Sequence, residues 1–126
     1  MNGAAKPSAA ERLRMMEESL ISSISGLKQE YTEVSGEVRT EEGDRAEVAN
    51  SVRILNALID RDETRLAGVQ AALTRISNGH YGICTQCGSM IDPERIDAEP
   101  DTALCLGCME NHERHSEEPR HAVHLE

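Results

Sequence analysis

The clearest chemistry in this 126-residue sequence lies in its four cysteines, all of which fall in two Cys-x-x-Cys pairs. They read Cys84-Thr85-Gln86-Cys87 and Cys105-Leu106-Gly107-Cys108, with seventeen residues between the pairs. Two such pairs at that separation are the pattern of a structural four-cysteine zinc site, in which thiolates from two tight turns converge on a tetrahedral ion. Gly88, directly after Cys87, can take the positive φ that such a turn often needs. Four protein thiolates leave no coordination position for water, so the ion would be structural rather than catalytic. Three other readings use the same residues. Two disulfides require an oxidising compartment. A redox-active pair at Cys84 and Cys87 wants a βαβ setting, which is not visible. An iron–sulfur cluster usually uses other spacings. No Ser/His/Asp set, phosphate loop or open metal site accompanies the cysteines, so no catalytic residue is assigned and the chain reads as a non-enzyme.

Composition narrows the partners. There are 13 Lys and Arg against 23 Asp and Glu, a formal charge of −10. Phosphate neutralisation drives binding to nucleic acid, and a DNA-binding zinc ribbon normally carries a basic face. This sequence has no obvious one, which argues against direct nucleic-acid binding. With no Trp, no Phe and two Tyr, a large mixed core is not expected, and a metal would add stability that burial cannot. No apolar run approaches the roughly 20 residues of a membrane span. The first residues lack the apolar core of a secretory signal, and with reduced cysteines the expected location is the cytoplasm. Leu125-Glu126 reads as a cloning scar and is set aside.

The elements that must position the cysteines are helical. Ser8-Ala9-Ala10-Glu11 is a capping box, with Ser8 as N-cap and Glu11 at the third helical position. Apolar residues then recur at Leu13, Met16, Leu20, Ile24, Leu27, Tyr31, Val34 and Val38, close to a heptad seam. Glu37 to Asp44 is charged, contains Gly43 and reads as a turn. A second seam follows through Val48, Val52, Leu55, Ile59, Leu66, Val69, Leu73 and Ile76. The position it skips is Asp62, an acid that costs stability unless paired or wet. Arg12 and Arg14 are its candidate partners if the hairpin closes near Glu41. Two seams with a short link predict an antiparallel αα-hairpin over residues 8–78, its acidic tip near 37–46. Ser77-Asn78-Gly79 is a helix stop. Residues 79–124 form the second part, a four-cysteine zinc-finger module with a last helix from Leu106 to about Glu117. Inside it Asp92-Pro93 starts a single helical turn, packed by Ile91, Ile96, Ala98 and Leu104. The fold class is therefore mainly α, a long coiled-coil hairpin joined to a small zinc module.

Tyr81-Gly82-x-Cys84-x-x-Cys87-Gly88, Ile91, Arg95-Ile96, Ala98-x-Pro100 and Cys105-x-x-Cys108 resemble the DksA/TraR-type four-cysteine zinc-finger proteins of bacteria. The likeness runs back to Asp44-Arg45-Ala46 and covers roughly residues 41 to 117. It implies a regulator of transcription that binds RNA polymerase and puts its coiled-coil hairpin into the secondary channel, with no recognition of DNA sequence. In such proteins acidic residues at the tip approach the catalytic centre. The family tip motif Asp-x-x-Asp-x-Ala falls on Glu41 to Ala46: Asp44 and Ala46 match, and Glu41 replaces the first Asp. The resemblance also implies that positions where a relative binds the alarmone ppGpp with basic residues are Gly68, Glu99 and Met109 here. None can pair with a phosphate, so alarmone dependence through that pocket is not expected.

Blander readings stand beside these. Asp44-Arg45-Ala46-Glu47 is also a capping pattern, in which Asp44 would be an N-cap worth about 1 kcal/mol. Glu37, Glu41 and Glu42 can be a solvated turn. Tyr81 is expected to pack against the zinc module. The alternative to polymerase is a zinc-stapled interaction module for another cytoplasmic partner. In either case the chain is expected to act as a monomer, although seam positions could instead pair two hairpins.

Overall fold

The structure is a computed structural model that describes residues 7–36 and 42–114, with the backbone alone at 42–44. Two long helices carry most of it: α1, Ala9–Gly36, and α2, Glu42–Asn78. A short α3 spans Pro93–Ala98, and a last helical segment, α4, covers 106–114. The chain divides into two compact units, Met1–Gln70 and Ala71–Glu126, with the division falling inside α2. No helix of the described residues is long and apolar enough to cross a membrane.

In the first unit, α1 starts as its sequence dictates. The Ser8 amide donates to Glu11 Oε1 (2.9 Å), and the Glu11 amide donates to Ser8 Oγ (3.1 Å). These are the two reciprocal bonds of a capping box, which satisfy donors that the helix leaves unpaired. The two helices are antiparallel: Glu17 meets Gln70, Ser23 meets Asp62, and Lys28 meets Glu63. Later residues of α1 thus face earlier residues of α2. Leu13, Ile24, Leu55, Ile59 and Val69 are buried between the helices, and the other described seam positions are half-buried. Within this unit, among the described residues, each helix packs against one neighbour, which limits burial to one stripe. Met15, Ile21 and Ile54, off the seam, stay exposed.

Two expectations about this unit change. Asp62 is 6% exposed, and its partners are Ser23 Oγ (2.9 Å) and the guanidinium of Arg61 (3.3 Å), not Arg12 or Arg14. The register sets α1 at Ser23 opposite Asp62, more than two turns beyond both arginines. Asp44 is not an N-cap either. α2 begins at Glu42, so Gly43 and Asp44 lie in its first turn. The expected turn from Glu37 therefore gives way to helix by Glu42, and residues 37–41, with Val38 and Glu41, lie outside the described residues.

The seam predicts how stability is distributed over the hairpin. Leu13→Ala, at a fully buried position, is expected to cost about 2–5 kcal/mol in urea unfolding. Met15→Ala, at a side chain 63% exposed, is expected to change stability by no more than about 0.5 kcal/mol. Equal losses at the two positions would contradict the burial of the Leu13 face of α1.

Candidate metal centre

The second unit begins with the end of α2. The His80 amide donates to the Arg75 carbonyl (2.8 Å) and the Gly79 amide to the Ile76 carbonyl (3.2 Å), the pair of bonds of a Schellman stop. Gly79 has φ +77°, a left-handed conformation that costs a side-chain-bearing residue about 1 kcal/mol or more. The chain can then turn sharply into the first cysteine pair.

That pair sits on a minimal hairpin. Ile83 and Met90 form an isolated antiparallel bridge, the Ile91 amide donates to the Gly82 carbonyl (2.8 Å), and the Cys84 amide donates to the Ser89 carbonyl (2.8 Å). Gly88 takes φ +80° at the knuckle, as its place after Cys87 predicts. Gly82, at φ +86°, is a requirement the sequence reading did not single out: a Cβ there would also stand 3.4 Å from Ile96 Cδ1. α3 opens as expected, with Asp92 as N-cap accepting from the Glu94 amide (3.0 Å) and Pro93 at its start. Ile91 is buried and Ile96 and Leu104 are half-buried, but Ala98 is exposed. A six-residue helix has room for one packing face, and Ala98 is not on it. Tyr81 does serve the module, through its hydroxyl bond to the Pro100 carbonyl (2.7 Å).

These turns bring all four sulfurs within 4.8 Å of one another, and no disulfide joins them. Cys87 and Cys105 Sγ are 3.8 Å apart. Two sulfurs bound tetrahedrally to one zinc at roughly 2.3 Å are separated by roughly that distance. The donors fit zinc in number, softness and spacing. When bound, the ion closes the module by cross-linking its two turns. α4 starts directly at the second pair, where the Cys108 amide donates to Cys105 Sγ (3.5 Å).

The surroundings prepare the thiols unequally. Cys84 is buried, and backbone hydrogen bonds at Cys105 and then Cys87 bring its thiol down to about 6 despite the opposing effect of burial. Ser89 lowers Cys87 through its hydroxyl, 2.6 Å from Sγ, and through its amide. Cys108 is pushed up to about 12, because its proton is held among the Cys105, Cys84 and Cys87 sulfurs. Several thiolates this close cannot all ionise without a cation. Ser89 as an outer partner of the metal site was not legible in advance. Only its place two residues after Cys87 hints at it.

Of the tip residues, Ala46 is exposed on α2, the backbone of Asp44 is in the first turn of α2, and Glu41 lies outside the described residues. Gly68 is half-buried in the first unit; in the second, Glu99 is exposed and Met109 half-buried. Among the histidines, His112 is exposed on α4.

The dithiol pattern fixes a pH dependence. Cys108 keeps its proton in the metal-free protein up to about 12, so metal binding at neutral pH must expel at least that proton. Below about 6 the Cys84 proton must be expelled as well. Apparent zinc affinity is therefore expected to fall as pH falls, about tenfold per unit or more near neutrality and more steeply below pH 6. Chelator competition from pH 5.5 to 8.5 measures it, and a flat profile would exclude thiolate ligation.

Comparison with known proteins agrees with this geometry. Residues 79–114 match the prokaryotic dksA/traR C4-type zinc finger. An uncharacterized protein of Aquifex aeolicus is 35% identical over 73 residues, 58% of this chain and 50% of its own length. The RNA polymerase-binding transcription factor DksA of Caulobacter vibrioides is 33% identical over 55 residues, 44% of this chain and 39% of its own. The chain thus spans half or less of the length of the curated relatives it matches. The solved structure of transcription factor DksA2 from Pseudomonas aeruginosa shares the fold, with a TM-score of 0.73 over 86% of this chain and 82% of that one, at 24% identity. The two converging cysteine turns of this chain lie within the stretch that is similar to the DksA/TraR C4-type zinc finger.

Proposed function

We propose that this protein binds RNA polymerase and regulates transcription by placing its helical hairpin in the secondary channel, without reading DNA sequence. The observation that carries this reading is the similarity of residues 79–114 to the DksA/TraR C4-type zinc finger, in a chain whose first unit is an antiparallel helix pair. Relatives named as RNA polymerase-binding transcription factors support it. So does the charge of −10, which disfavours DNA as the direct target.

In this reading residues 8–78 form the working hairpin and residues 79–124 the module that stays outside the channel. Asp44, Glu41 and Ala46 make the tip that approaches the catalytic centre. The protein acts there by charge and position rather than by chemistry of its own, as a monomer in the cytoplasm. Alarmone is not required, since Gly68, Glu99 and Met109 offer no partner for a phosphate.

A second reading is favoured by one observation. Met90 is 80% exposed beside its bridge partner Ile83, which suits a zinc-stapled module that contacts another protein through its finger.

Multi-round transcription from a ribosomal RNA promoter by purified polymerase separates the two. Asp44→Asn is expected to leave helicity and zinc content unchanged and to abolish the effect seen with the unaltered protein. An equal effect from both proteins would remove Asp44 from the mechanism. No effect from either would favour the finger-contact reading. Addition of ppGpp to a polymerase lacking its other alarmone sites is expected to change nothing, and enhancement there would overturn the alarmone-independent reading.

A further inference from the structure

The stretch from Pro100 to Leu104, which delivers the second cysteine pair, is held by its carbonyls. Pro100 accepts from the Tyr81 hydroxyl (2.7 Å), and Thr102 accepts from Arg75 Nη2 (3.2 Å). Ala103 accepts from the Thr85 amide (2.9 Å), and Leu104 accepts from Arg95 Nε (3.1 Å). Pro100 and Thr102 are themselves buried, so their carbonyls have little access to water. A buried carbonyl that loses its donor carries the cost of desolvation uncompensated. The four donors come from four places: α2, the turn that follows it at Tyr81, the first cysteine turn and α3.

Arg75 is the donor of special interest. Its own carbonyl accepts the His80 amide that stops α2, while its guanidinium reaches the strap at Thr102, three residues before Cys105. One residue therefore belongs both to the end of α2 and to the segment that presents two of the four sulfurs. Whatever fixes the segment fixes Arg75, and whatever frays α2 at Arg75 loosens the segment. Linkage of this kind is reciprocal.

We infer that Arg75 is a positioning residue that couples metal occupancy of the four-cysteine site to the order of the last turns of α2. Zinc tightens residues 71–78 through the Thr102 carbonyl, and ordered last turns in turn slow the loss of zinc. Tyr81 and Arg95 hold the same strap from outside α2 and contribute to metal retention alone. This inference does not depend on the identity of the protein's partner.

The test uses the full chain, loaded with zinc or stripped by chelator, and reads two quantities. Hydrogen exchange followed by mass spectrometry reports on residues 71–78, and transfer of zinc to a coloured chelator reports on the site. Arg75→Met keeps the aliphatic stem and removes the donor. Its zinc-loaded form is expected to exchange at 71–78 markedly faster than zinc-loaded wild type and to release zinc about tenfold faster, as outer partners of metal ligands typically do when removed. Arg75→Lys, which keeps one donor, is expected to recover part of both. Tyr81→Phe is expected to release zinc faster while leaving exchange at 71–78 at the wild-type rate. Wild-type exchange and wild-type release in Arg75→Met would overturn the inference. So would a wild-type protein whose exchange at 71–78 is the same with and without zinc. Should Arg75→Met fail to fold, Arg75→Lys and Tyr81→Phe decide by the same two readings: equal effects on 71–78 would deny Arg75 its separate role.

Discussion

Four sulfurs within 4.8 Å of one another are a constraint that the rest of the second unit must satisfy. Left to themselves, such thiols resist ionising together, because thiolates this close repel. A soft dication converts that repulsion into a cross-link. The turns, the left-handed glycines and the bridge between Ile83 and Met90 follow from this requirement. They place two short loops at the spacing of a tetrahedron's edge, in a module too poor in aromatic residues to hold itself by burial alone. The carbonyl strap from Pro100 to Leu104 serves the same end, because a loop that must end at a fixed point needs its backbone groups satisfied along the way.

The first unit is governed by a different balance. Two helices packed on each other bury a narrow stripe, and the described seam residues from Leu13 to Val69 occupy it. One polar residue interrupts the stripe. Asp62 is accepted there, though buried, because Ser23 and Arg61 meet its carboxylate. A polar group at a seam position disfavours registers that leave it without a partner on the facing helix. The hairpin thus gains definition at the expense of apolar contact.

Much of this was legible in the residues. The Ser8–Glu11 box, the stop at Gly79, the cap at Asp92 and the convergence of the cysteines are local in sequence, and each is governed by a spacing of a few residues. What escaped reading depends on distance along the chain. The partner of Asp62 is set by which turn of α1 faces it, and that register is fixed by how the chain closes, which periodicity does not encode. Asp44 was misplaced by a few residues because a charged stretch with Gly43 can end a turn or begin a helix equally well. Ala98 was placed in the interior because a single helical turn is too short for a pattern to identify its buried face. The carbonyl contacts of Arg75 and Arg95 were not legible, since no motif marks a long side chain that ends on a distant carbonyl.

The unequal exposure of the four cysteines carries a kinetic consequence. Cys84 is sealed inside the module, Cys105 and Cys108 are half-covered, and Cys87 is open to solvent. Ligand exchange at a metal proceeds by one donor yielding before the next, and an incoming thiol or chelator must reach the donor that yields. In this molecule that approach is open at Cys87, so metal delivery and metal theft share one doorway, with Ser89 standing at its side.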